Sequence, residues 1–129
     1  MALVIRNNLT DQQLKDEAVQ LAIQLLEQFD ELGSYMSQIH LIEIEPMNEI
    51  DTMFAFIHPE FKRDDMIGTK VIAEGKFIDK DGEIVDVLLH AQGEYLSEIE
   101  YVKYSKDPIV ERPIVSKLTQ INRLSSNYK

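Results

Sequence analysis

Glu98 and Glu100 stand two residues apart, with Asp86, His90 and Glu94 shortly before them and Glu74 further upstream. In an extended chain, positions i and i+2 share a face. The two glutamates therefore present paired carboxylates, and Asp86 and His90 fall on one face by the same alternation. Such a group can receive an arginine or lysine from a partner through charge-assisted hydrogen bonds. Paired carboxylates also serve acid/base chemistry, as in glycoside hydrolysis, although a solvated strand face explains this pair more simply. Other groupings lack essential members. Asp79-Lys80-Asp81-Gly82 opens like a calcium loop, but the twelfth position is His90 where an EF-hand needs glutamate. His58-Pro59-Glu60 imitates the H-x-E of zinc deaminases, whose further ligands are cysteines, and the chain has none. His40, His58 and His90 are widely separated and read as scattered surface or core histidines. Asp65 followed by Glu74-Gly75-Lys76 mimics the acids and lysine of metal-dependent nucleases. Its strongly negative surroundings would repel nucleic acid. No G-x-S-x-G and no phosphate-cradling glycine loop occurs. We therefore assign no catalytic residue, metal set or cofactor.

These residues need elements to position them. Thr10 and Gln13 form a capping box, with Leu9 and Leu14 as a hydrophobic staple. Leu14, Ala18, Leu21, Leu25, Phe29 and Leu32 then recur at helical spacing. The pattern predicts a helix over residues 11–32, ended by a left-handed Gly33. Residues 35–45 read as a strand, residues 50–57 are ambiguous, and residues 60–68 are a polar connection. Lys80-Asp81-Gly82 and Ala91-Gln92-Gly93 each end in glycine, as three-residue hairpin loops commonly do. They predict a meander over residues 69–79, 83–90 and 94–104. In the first hairpin Phe77, Gly75 and Ala73 face Val85, Val87 and Leu89. In the second, Leu89, Val87 and Val85 face Tyr95, Ser97 and Ile99. One sheet face then carries Val71, Ala73, Phe77, Val85, Val87, Leu89, Tyr95, Ile99 and Tyr101, the partner of the helix stripe. The other carries Glu74, Lys76, Asp86, Leu88, His90, Glu94, Leu96, Glu98 and Glu100. Lys76 meets Asp86 as an ion pair, whereas Asp86 meets Glu98 as an unfavourable like-charge pair, and Ile84 meets Glu100. A two-residue second loop would instead set Glu98 and Glu100 beside Val87 and Val85. Residues 116–129 read as a short helix or loose tail. The expected architecture is one α+β domain: an N-terminal amphipathic helix on one face of a mostly antiparallel sheet.

Composition narrows the partners. The chain has 129 residues and a formal net charge of −10. That charge argues against nonspecific nucleic-acid binding and against docking on anionic lipid. It suits a basic protein partner, because opposite potentials speed encounter and fix orientation. The acids concentrate in residues 74–100, while the segment after residue 100 is net basic. Without cysteine there is no disulfide or thiolate nucleophile. With no signal-peptide layout and no membrane-length apolar run, the expected location is the cytoplasm.

The run Val85-Asp86-Val87-Leu88-Leu89-His90, then Gly93, Leu96-Ser97-Glu98-Ile99-Glu100-Tyr101 and Asp107-Pro108-Ile109, resembles a hairpin shared by small acidic bacterial families of unknown function. Some such proteins are encoded as immunity proteins beside polymorphic or contact-dependent toxins. The resemblance spans about residues 69–113 and carries no active-site residues. It implies a non-enzymatic immunity or antitoxin-like protein that blocks the active site of a cationic toxin domain, such as a nuclease. Asp86, Glu94, Glu98 and Glu100 would form the contact, with Glu74 and His90 beside them, and their carboxylates would stand in for the phosphates such a toxin binds. The alternative is a small-ligand protein or enzyme of a helix-plus-curved-sheet cone type. There a pocket would lie between helix and sheet, near Tyr95 and Tyr101.

Overall fold

The computed structural model describes residues 5–62, 68–105 and 107–124. Helix α1 (Asp11–Glu27) starts at the reciprocal Thr10–Gln13 capping box and buries Leu14, Ala18, Leu21, Ala22, Leu25 and Leu26. It ends five residues before the expected Leu32. Phe29 turns extended, at φ −128° and ψ 106°, and the chain re-enters helix as a 3-10 turn (Asp30–Leu32) and α2 (Gly33–Met36). Leu32 still reaches the core, so the apolar spacing runs on past the break. Gly33 is right-handed, at φ −60°, and not the left-handed stop.

The strand expected over residues 35–45 is confined to β1 (Glu43–Pro46). Tyr35 and Gln38 instead hold the tip of a later hairpin. The Tyr35 hydroxyl donates to the Gly93 carbonyl at 2.9 Å, and the Gln38 amide bonds the Glu94 carbonyl and the Leu96 N–H. The ambiguous stretch contains β2 (Met53–Ile57). The meander is present as β3 (Lys70–Ile78), β4 (Ile84–Gln92) and β5 (Tyr95–Lys103). Over the described part of the expected C-terminal helix or tail there is instead a 3-10 turn at Val115–Lys117 followed by β6 (Thr119–Arg123), and residues 125–129 lie outside the described residues. The sheet is antiparallel, in the order β1-β2-β5-β4-β3-β6. Asp65 of the nuclease-like spacing lies outside the described residues.

The first hairpin has the expected register: Phe77 pairs with Val85, Gly75 with Val87, Lys76 with Asp86 and Ala73 with Leu89. The second does not. Ala91 and Gln92 belong to β4, and the turn is Gly93-Glu94 alone, with Gln92 opposite Tyr95. Gly93, at φ +60°, leads the turn, the place glycine takes in a type II′ hairpin. Leu89 therefore faces Ile99, Val87 faces Tyr101 and Val85 faces Lys103. This is four residues away from the expected pairing. β5 also carries one extra residue, Ser97, between the pairs His90–Glu98 and Ala91–Leu96. A bulge of one residue exchanges the faces of everything beyond it. It returns Ile99 and Tyr101 to the core side, where an unbulged two-residue hairpin would have put Glu98 and Glu100. A second bulge at Ile72 sets Val71 opposite His90 and buries Ile72 in its stead. Tyr95 leaves the expected core and is 39% exposed, while Leu96 is fully buried.

Val85, Val87, Leu89 and Ile99 are 0% exposed, against α1 residues such as Leu21 and Leu25. Two buried ionic knots tie the β5–β6 connection over this side. Arg112 grips both carboxylate oxygens of Glu17 through Nε, at 3.0 Å each, and donates to the Asp51 carbonyl. Asp79 accepts from Lys103 Nζ at 2.9 Å and from the N–H groups of Lys80, Val110 and Glu111. The near-calcium loop is thus a hairpin turn whose acids hold a lysine, since Lys103 also reaches Asp81.

Burial pushes the Asp79 carboxyl upward, but the Lys103 bond and the three backbone donors outweigh it and hold the group below its ordinary value. A depressed carboxylate adds stability above the unfolded value, near about 4, and loses it as pH falls through the folded one. Asp79→Asn should therefore lower stability at neutral pH and flatten the acid limb of a urea-unfolding series from pH 7 to about pH 2. An unchanged acid limb would contradict the assignment.

Candidate partner-binding face

Alternation turns Asp86, Leu88, His90, Glu98 and Glu100 to the sheet face away from α1. The core side is fixed by Tyr101, whose hydroxyl donates to Glu17 of α1 at 2.9 Å. On the outer face, cross-strand neighbours form rows. One runs Met53, Glu100, Leu88, Glu74, and the next Ala55, Glu98, His90, Val71. His90 joins the rows. Its Nε2 lies 3.0 Å from Glu100 Oε1, and its Nδ1 lies 2.9 Å from Thr69 Oγ1. Glu98 is only 5% exposed, and Glu100 is half-buried. One ligand-type atom from each of His90, Glu98 and Glu100 lies within 4.8 Å of the others.

The structure thus brings His90, Glu98 and Glu100 together, with Glu74 one strand further along the same face. Asp86 stands apart, opposite Lys76 and Val102. The expected Asp86–Glu98 repulsion does not exist, because the shifted register places His90 opposite Glu98. Ile84 likewise faces Ile78, and Glu100 faces Leu88. Asp86 is 7% exposed and bound by Lys76 Nζ at 2.8 Å. This bond is the main reason the lysine's pKa is raised. Glu94 is exposed at the hairpin tip, outside the cluster. His40 and His58 do not join His90.

A neighbouring aromatic group had no periodic signal in the sequence. Phe61 stacks on Tyr95 with centroids 4.1 Å apart and planes at 9°, and His58 meets both rings edge-on. His58 Nε2 is 2.6 Å from the Leu96 carbonyl. His58, Phe61, Met47, Ile57, Glu45 and Glu60 line a surface cleft of about 520 Å³ that also includes Ala55, the cross-strand neighbour of Glu98. Acid and aromatic surface therefore adjoin. Of the tyrosines considered for an internal pocket, Tyr95 is in this outer group. Tyr101 is engaged by Glu17, with the Arg112 guanidinium 5.7 Å from its ring centre. Burial, then Glu17, pushes the Tyr101 phenol well above its ordinary pKa.

No family model, curated protein or solved structure matches the chain. Among the described residues no helix is long and apolar enough to cross a membrane.

Proposed function

We propose that the chain is an immunity or antitoxin-like binding protein. Its outer sheet face receives cationic side chains of a basic toxin domain and blocks that domain's active site, in the cytoplasm. One observation carries the reading: Glu98 and Glu100 converge beside His90, away from the helix, in a chain of net charge −10. Two adjacent carboxylates suit a guanidinium, which bonds them through a planar fork. The adjoining Phe61–Tyr95 stack supplies the aromatic surface on which arginine also packs. The contact is centred on Glu98, Glu100 and His90, which the fold brings within mutual reach, with Glu74 and Glu94 at its margin.

A second reading has its own support. His90, Glu98 and Glu100 are metal-ligand types at mutual reach, and the Thr69 contact at Nδ1 would orient Nε2 as a ligand. A divalent transition metal would then be the cation. The discriminating experiment compares the binding of the partner captured from the native host by the parent chain and by the Glu98→Gln, Glu100→Gln double variant, with and without chelator. Dependence on the carboxylates without dependence on metal supports the protein-partner reading.

A further inference from the structure

Four cations, Arg6, Lys76, Lys103 and Arg112, are held in ion pairs with acids. Lys70 and Arg123 make no ion pair among the described residues, yet they line one cleft. The cleft encloses about 390 Å³ between the 3-10 turn and α2 on one side and the ends of β3 and β6 on the other. Its apolar wall comes from Leu32, Ile72 and Leu124, and Ser34 and Tyr35 line it as well. Arg123 pairs with Ala73 across β6 and β3, and its Nε is buried without a hydrogen-bond partner.

A buried guanidinium donor left unmatched is costly, so an acceptor placed in the cleft would gain a bond to Arg123. The cleft is partly open, with an apolar wall on one side and cationic and hydroxyl groups on the other, a mix that suits an anion carrying an apolar body. Glu31 also lines it and lies exposed, which leaves an excess of one positive charge. Two cations without an ion pair among the described residues therefore share this one cleft.

We infer that this cleft binds a small organic anion: one oxyanion group, carboxylate or phosphate monoester, on an apolar body. The oxyanion meets Arg123 and Lys70, and the body lies along Leu32, Ile72 and Leu124. The cleft lies between the sheet and α2, on the opposite side of the sheet from the acidic face.

Calorimetric titration of the intact chain with phenyl phosphate, phenylacetate and inorganic phosphate, at matched ionic strength, tests the inference. Saturable binding of an aryl anion, at least about tenfold tighter than inorganic phosphate, is expected. Whichever aryl anion binds the more tightly identifies the head group. Arg123→Gln and Lys70→Gln should each weaken binding by about tenfold or more while the melting temperature holds. Lys70 is exposed, so its variant keeps the test valid even if Arg123→Gln misfolds. The inference is overturned if no aryl anion binds below about 10 mM, or if both variants bind as the parent does.

Discussion

Val87→Asp should abolish cooperative folding at room temperature. Val87 is 0% exposed, flanked across the sheet by Gly75 and Tyr101, on the face that α1 covers. A carboxylate there has neither water nor a cation, and burying it unpaired costs several kcal/mol, about the whole stability of many small domains. Circular dichroism should show loss of the unfolding transition. A near-native transition would mean that β4 is one residue out of register, because a slip of one carries every side chain to the other face. The neighbouring Leu88→Asp is the control. Leu88 is half-buried on the outer face, so its cost should be clearly smaller.

Arg112→Ala should destabilise the domain by about 3–5 kcal/mol, the usual cost of removing one partner of a buried ion pair. The Glu17 side chain is 10% exposed and the Arg112 side chain 5%. Among the described residues, truncation leaves the Glu17 carboxylate only the Tyr101 hydroxyl, and it strips the Asp51 carbonyl of its guanidinium donor. It also removes the ion pair that ties the β5–β6 connection to α1. Replacing both members, Glu17→Met with Arg112→Met, should restore most of the loss, since well-packed apolar residues often substitute for a buried pair at little cost. Chemical denaturation of the two variants checks this. A loss in the double variant as large as in the single one would mean that Arg112 acts chiefly through Asp51 and the Tyr101 ring.

The legible parts of the fold were those with local causes. The capping box at Thr10 and the hairpin at Asp79–Gly82 are written in consecutive residues, and both were readable. The break of α1 after Glu27 was not, because Leu32 keeps helical spacing while its backbone leaves the helix. The second hairpin misled for a similar reason. A glycine that closes a three-residue loop and a glycine that opens a two-residue turn look alike in one dimension. The bulge at Ser97 then cancelled the error in face but not in register. For this reason alternation still places Glu98, Glu100 and His90 on one face, whereas the neighbour of Asp86 on β5 is Val102 and not Glu98. The pairing of Asp86 with Lys76 lay in the first hairpin and was readable. The bond from Arg112 to Glu17 spans 95 residues and has no local signature. The Lys70–Arg123 cleft depends on β6, a strand whose residues lack clear alternation.

The most direct test of the acidic face is the affinity of its partner for the Glu98→Gln, Glu100→Gln double variant, measured with the variant's own stability. The proposed partner is a basic protein, to be captured first from the native host. Neutral amides keep the shape of the face and remove its charge. Affinity should fall at least about tenfold, through loss of charge-assisted bonds, and the effect should shrink as salt screens the pair. Chelator should not alter binding, and the free variant should keep a cooperative melt. Unchanged affinity in a folded double variant would contradict the account and place the contact elsewhere on the surface.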